Sequence, residues 1–157
     1  CYSFSLNLGA ELNNFDFNVF LQGVGKRDIF FNGAGARPFW MGGTVYEHQL
    51  DSWSEENRNA EYPLLLIDGS GGGNMNNIPS SFWVKSGAYM RLKNVSVGYS
   101  LPKNILGKSG LSNVRFYLSG QNLLTIAKGY KGYDPEGDVS SYYPVTQVYT
   151  FGVDIKF

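Results

Sequence analysis

Apolar and polar side chains alternate residue by residue at the start of this chain: Tyr2, Phe4, Leu6, Leu8, Ala10 and Leu12 against Ser3, Ser5, Asn7, Gly9 and Glu11. Successive side chains of a strand project to opposite faces, so the segment predicts a strand over about residues 2–12 with one apolar and one polar face. Asn13-Asn14 interrupts the pattern as a turn. Alternation resumes with Phe15, Phe17, Val19 and Leu21 against Asp16, Asn18 and Gln22, Phe20 being the exception on the polar side. Together they predict a tight hairpin whose second strand covers about residues 14–24. A third strand is read over about 88–101, with Val95, Val97, Tyr99 and Leu101 opposed to Asn94, Ser96, Gly98 and Ser100, and Pro102 ends it because proline has no N–H for a ladder. A fourth spans about 113–122, with Val114, Phe116 and Leu118 on one face, and a fifth about 145–157, with Tyr149, Phe151, Val153, Ile155 and Phe157 on one face against Thr150, Gly152, Asp154 and Lys156.

The connections alternate in length: short at Asn13-Asn14, very long over about 25–87, moderate over 102–112 and long over about 123–144. Amphipathic strands joined by short turns at one end and long loops at the other are the pattern of transmembrane barrels, whose short turns are periplasmic and whose long loops are extracellular. The predicted fold class is therefore all-β, with antiparallel amphipathic strands forming part of a transmembrane barrel. Five strands do not close a barrel, of which the smallest membrane form has about eight, and an open edge is not tolerated in lipid. The expectation is that 1–157 is a piece of a larger barrel. Two alternatives stay open. One is a complete small barrel with a structural or adhesive role, which requires three further strands within 25–87. The other is a soluble carbohydrate-binding β-sandwich, in which a second sheet covers the apolar faces.

Composition narrows the picture. Aromatic residues make up 16% of the 157, Gly numbers 20 and charged residues are only 17%, which is a β composition. Thirteen basic residues balance thirteen acidic ones, so no electrostatic footprint for nucleic acid is present. No apolar run approaches the ~20 residues of a membrane helix. Cys1 is the single cysteine, which leaves neither an internal disulfide nor a cysteine-rich metal site.

Candidate chemistry is sparse. His48 is the one histidine, and Glu47, Asp51, Glu55, Glu56 and Glu61 near it fit a charged, exposed loop better than a catalytic set. The glycine run at 68–74 lacks the spaced carboxylates of a calcium loop and reads as a flexible tip. Gly107-Lys108-Ser109 lacks the upstream glycine of a phosphate loop, and Asn94-Val95-Ser96, a glycosylation match, falls in mid-strand. No catalytic, cofactor or metal residue is assigned, and the chain is not read as an enzyme. The long loops are rich in glycine and aromatics, which gives contact area at low entropic cost; Trp40, Trp53, Tyr62, Tyr130 and Tyr133 are the candidate substrate or partner contacts.

Longer motifs carry a family resemblance. The stretch Ser81-Phe-Trp83-Val-Lys-Ser-Gly-Ala-Tyr89-Met-Arg91-Leu-Lys-Asn94-Val-Ser-Val-Gly98-Tyr99-Ser-Leu-Pro102 resembles the penultimate region of the SusC/RagA-type TonB-dependent transporters of Bacteroidota. Ser119-Gly-Gln-Asn122-Leu-Leu-Thr125, Lys131-Gly-Tyr-Asp134-Pro-Glu136, Trp53-Ser-Glu-Glu-Asn57-Arg-Asn-Ala-Glu-Tyr62-Pro63 and Gln22-Gly-Val-Gly-Lys-Arg-Asp28 are similar to other motifs of that family, and Tyr149 to Phe157 to its closing strand. The resemblance implies a barrel of about 22 strands with an N-terminal plug, located in the outer membrane and importing glycans or peptides, of which 1–157 would be the C-terminal segment, without the plug. It also implies the partners: the rest of the barrel and its plug, a SusD-like surface lipoprotein, TonB acting through the N-terminal region, and outer-membrane lipid. Tyr149, Phe151, Val153, Ile155 and Phe157 would form the strand read by the assembly machinery.

Overall fold

The computed structural model describes residues 1–67, 76, 78–107, 110–127, 129, 134–137 and 145–157, the side chain of Met41 excepted. The glycine run at 68–74, Lys108, Ser109, Tyr130 and the 131–133 part of the loop motif lie outside the described residues, so two of the five candidate loop aromatics, Tyr130 and Tyr133, receive no structural account. The chain forms two units: Cys1–Lys26 with Tyr89–Ala127 and Val145–Phe157, and Arg27–Ala88 with Lys128–Pro144.

The first unit is one antiparallel sheet. In chain order its strands are β1 (Tyr2–Leu12), β2 (Phe15–Lys26), β5 (Tyr89–Ser100), β6 (Asn113–Ala127) and β7 (Val148–Lys156), and they lie side by side in that order. A single turn of helix, α1 (Lys103–Leu106), lies between β5 and β6. Register stacks the apolar positions into continuous rows across the sheet: Leu12, Phe15, Tyr99, Phe116 and Val153 form one, and Ala10, Phe17, Val97, Leu118 and Phe151 the next. Cross-strand neighbours are the unit of sheet stabilisation, so these rows bind the strands to one another. They do not bury themselves, since Leu118 is 58% and Phe151 70% exposed. On the opposite face Gly9, Asn18, Ser96, Ser119 and Thr150 form the matching polar row.

Two irregularities interrupt the ladder at one level. Register shifts between Phe20 and Leu21 against β5, leaving Lys93 as the extra residue, and between Leu92 and Asn94 against β6, where Asn122 and Leu123 face the single Lys93. Asn122 has φ 54°, in the left-handed region where asparagine is among the few tolerated side chains. Two residues earlier, Gly120 has no side chain, and the Leu123 isobutyl group occupies the space a Cβ there would need. Phe20, the exception to alternation, lies between Asn7 and Asn94 at the edge of this irregularity.

The second unit contains β3 (Asp28–Phe30) and β4 (Val84–Ser86), paired antiparallel as a separate two-stranded sheet, with short 3-10 turns at Gly33–Gly35, Trp40–Gly42, Glu47–Leu50 and Ser81–Trp83. Its core is Phe31, Ala36, Tyr62 and Trp83, with Ile29 packed against them. Gln49, 1% exposed, holds this core's polar side. Its Nε2 donates to the carbonyls of Ala34 (3.0 Å) and Gly35 (2.9 Å), and its Oε1 accepts from the Tyr46 amide (2.9 Å).

Strand ends differ from the sequence expectation in instructive places. β2 runs on to Lys26, and β6 continues to Ala127, five residues past Asn122. There Asn122 and Leu123 face a single residue of β5, so the alternation is interrupted and Leu123-Leu124 reads as the end of a period-two pattern although the backbone stays in the ladder. β7 begins at Val148, later than 145. The three extra strands that a complete eight-stranded barrel requires within 25–87 are not present among the described residues, where β3 and β4 have three residues each and pair only with one another. No helix among the described residues is long and apolar enough to cross a membrane.

Candidate functional site

The polar face of the five-stranded sheet carries its own bonding. Arg115 on β6 reaches across β5 to Asp16 on β2, where Nε donates to Oδ1 at 2.8 Å and Nη2 to Oδ2 at 2.6 Å, a two-pronged pairing suited to the planar guanidinium. Its Nη1 donates to Asp154 Oδ2 on β7 at 3.1 Å. The crossing is possible because the intervening β5 residue is Gly98: a Cβ there would collide with the Asp16 carboxylate and the Arg115 guanidinium. Tyr117, two residues along, lays its ring over Gly152 of β7, with the Arg115 guanidinium 5.2 Å from the ring centroid. At the other end of the same face Arg91 is 1% exposed, and its Nε donates to Thr125 Oγ1 at 2.8 Å.

In the second unit the walls beside the core open into a groove of about 560 Å³, whose exposed rim includes Trp53, Leu64, Ile78 and Phe82 and whose floor is Tyr62 and Trp83. Local bonding sets it up. Tyr62 bridges to Ser52, its amide donating to Asp51 O (3.0 Å) and its carbonyl accepting from the Trp53 amide (2.8 Å), so the two aromatics are held on neighbouring segments. Trp83 Nε1 donates to Asn76 O at 2.9 Å, which satisfies the indole of a buried ring. His48 lies at this core. Its Nε2 donates to Gly35 O at 2.8 Å, and the rings of Tyr46, Tyr62 and Phe31 surround it. Glu47, Asp51, Glu55, Glu56 and Glu61 are exposed. No group of three or more His, Cys, Asp or Glu suited to a metal occurs among the described residues.

No family model matches the chain. Over 176 aligned positions covering 99% of it, the chain is 32% identical to TonB-dependent receptor P3 of Formosa agariphila, and it is 28% identical to TonB-dependent receptor P26 of the same organism over 92% of its length. The chain belongs to the TonB-dependent receptors. It spans 16% of the length of each of these relatives. The fold agrees: chains of the RagAB peptide transporter and of the RagAB peptide importer in its open-open state superpose with TM-scores of 0.71 and 0.67 over 96% and 99% of this chain, at 24% identity, and this chain covers 16% and 17% of theirs. The sheet is thus a stretch of transmembrane barrel wall, with an apolar side and a polar side.

In this TonB-dependent receptor chain the motifs of the SusC/RagA type have physical readings. Val97-Gly98-Tyr99 supplies the gap that Arg115 crosses, and Gly120-Gln121-Asn122-Leu123 is the bulge of β6. Of the candidate loop contacts, Trp53 and Tyr62 meet in the groove. Trp40 does not line it; it is half-buried beneath the Arg37 guanidinium, 4.5 Å from its ring centroid. Tyr149, Phe151, Val153, Ile155 and Phe157 share the exposed apolar face of β7 and its end. Sequence reasoning missed Phe82, Leu64 and Ile78 in the groove, and it missed Gln49, a lone polar residue that nothing in the local pattern marks as buried.

Proposed function

We propose that this chain forms part of the wall of an outer-membrane, TonB-dependent nutrient importer, with its short connections at the periplasmic end and its long ones extracellular. The importer works with a SusD-like surface lipoprotein and draws energy through TonB. The observation that carries the reading is the sheet itself, in which strands of 9 to 15 residues stack unbroken apolar rows on an uncovered face and polar rows on the other. In water such a face is a liability, whereas against hydrocarbon it is the stable arrangement. The soluble sandwich reading needs a sheet packed over those rows, and their exposure argues against it.

Between glycans and peptides as cargo, the likeness to the RagAB peptide importer favours peptides. The groove of Trp53, Tyr62 and Phe82, largely apolar with few polar groups, is the candidate contact surface for cargo or lipoprotein. The test is uptake of labelled oligopeptides and of labelled oligosaccharides by cells carrying or lacking the natural polypeptide that contains this sequence. Expected is loss of peptide uptake in the deletion and after collapse of the proton-motive force. Unchanged uptake of both classes, or recovery of the polypeptide in the soluble fraction, contradicts the proposal.

A further inference from the structure

The apolar face of the sheet leaves one error in strand pairing undetected, and the polar face corrects it. A slip of one residue between β6 and β7 turns every side chain to the wrong face and is excluded by the membrane. A slip of two residues keeps the faces. In the native register Val114, Phe116 and Leu118 oppose Ile155, Val153 and Phe151. Shifted two residues one way they oppose Val153, Phe151 and Tyr149, and the other way Phe157, Ile155 and Val153. All three arrangements pair apolar with apolar.

The polar face distinguishes them. In the native register Tyr117 opposes Gly152, the position with no Cβ to strike the ring, and Arg115 opposes Asp154, its ion-pair partner at 3.1 Å. One two-residue slip sets Tyr117 against Thr150 and Arg115 against Gly152, so the ring meets a branched side chain and the guanidinium loses its β7 partner. The other slip sets Tyr117 against Asp154 and Arg115 against Lys156, a like-charge pair, which is destabilising when directly opposed. We infer that Tyr117–Gly152 and Arg115–Asp154 form a register lock, fixing where β7 docks on β6. Arg115 is itself held in place from the far side by Asp16 across Gly98.

A lock made of two adjacent contacts can be moved. Thr150→Gly, Gly152→Asp and Asp154→Thr together place the glycine and the carboxylate two residues earlier in β7. Register is read in cell envelopes by disulfide formation in the natural polypeptide with Cys1→Ser, using Val148→Cys with either Gln121→Cys, its native partner, or Ser119→Cys, its shifted partner. Partners across a ladder lie within bridging distance, and a displacement of two residues adds about 6.8 Å along the strand. The unaltered lock is expected to link 121 with 148 alone, and the moved lock to transfer the link to 119 with 148. A moved-lock protein that still links only 121 with 148 overturns the inference. If the triple variant fails to assemble, Gly152→Ala and Asp154→Asn decide: each is expected to give a new 119–148 fraction at unchanged envelope level, and absence of that fraction in both also overturns it.

Discussion

Arg115 shows how a single glycine sets the chemistry of a sheet face. Its guanidinium, partly solvent-exposed, meets two carboxylates, Asp154 on the adjacent β7 and Asp16 on β2 beyond β5, and only the bare backbone at Gly98 permits the crossing to Asp16. Because water screens the pair, a double-mutant cycle of Asp16→Asn with Arg115→Gln is expected to give a coupling of about 0.5–1 kcal/mol in denaturant unfolding of the membrane-inserted protein. A coupling indistinguishable from zero removes the clamp from the account. At Asn122, with φ 54°, replacement by Ala is expected to cost about 1–2 kcal/mol and replacement by Gly much less, since only glycine and a few polar residues enter the left-handed region cheaply; equal costs contradict the strained-bulge reading. The alternation assigns Asp16, Arg115 and Asp154 to the polar face from sequence alone. Their pairing was not legible, because it depends on β5 lying between β2 and β6, a spatial order that the chain does not spell out.

At the scale of elements, period two located the antiparallel strands because each has one lipid-suited face, and it lost β6 where the bulge interrupts the alternation. The second unit was least legible. β3 and β4 are too short for a period to emerge, and its core is assembled from Phe31, Tyr62 and Trp83, which are far apart in the chain. Two outcomes belong here. Placing Arg at Leu118, on the exposed apolar row, is expected to destabilise the inserted protein by about 2–4 kcal/mol, whereas Arg at the adjacent Ser119 has a smaller effect; equal effects would mean that the faces are misassigned. Truncating Trp83 to Ala is expected to cost about 3–5 kcal/mol, confined to its own unit. Hydrogen exchange should then rise across residues 27–67 and 78–87 while β5 and β6 keep their protection.

For the whole molecule, the sheet is intelligible only with lipid on one side and with partners for its two edge strands, β1 and β7, whose outer backbone groups no strand among the described residues satisfies. Removing Tyr149 to Phe157 from the natural polypeptide is therefore expected to abolish its insertion, and normal outer-membrane levels of that truncation contradict the proposed role of β7. The central claim, that one face meets hydrocarbon and the other water, is tested most directly by a nitroxide scan along β6 in outer membranes, comparing collision with oxygen and with a water-soluble nickel chelate. The account predicts that labels at Phe116, Leu118, Leu124 and Ile126 collide with oxygen and those at Tyr117, Ser119, Gln121 and Thr125 with nickel, the same odd–even phase resuming past Asn122-Leu123. A scan with no alternation, or with nickel reaching both sets alike, would contradict it.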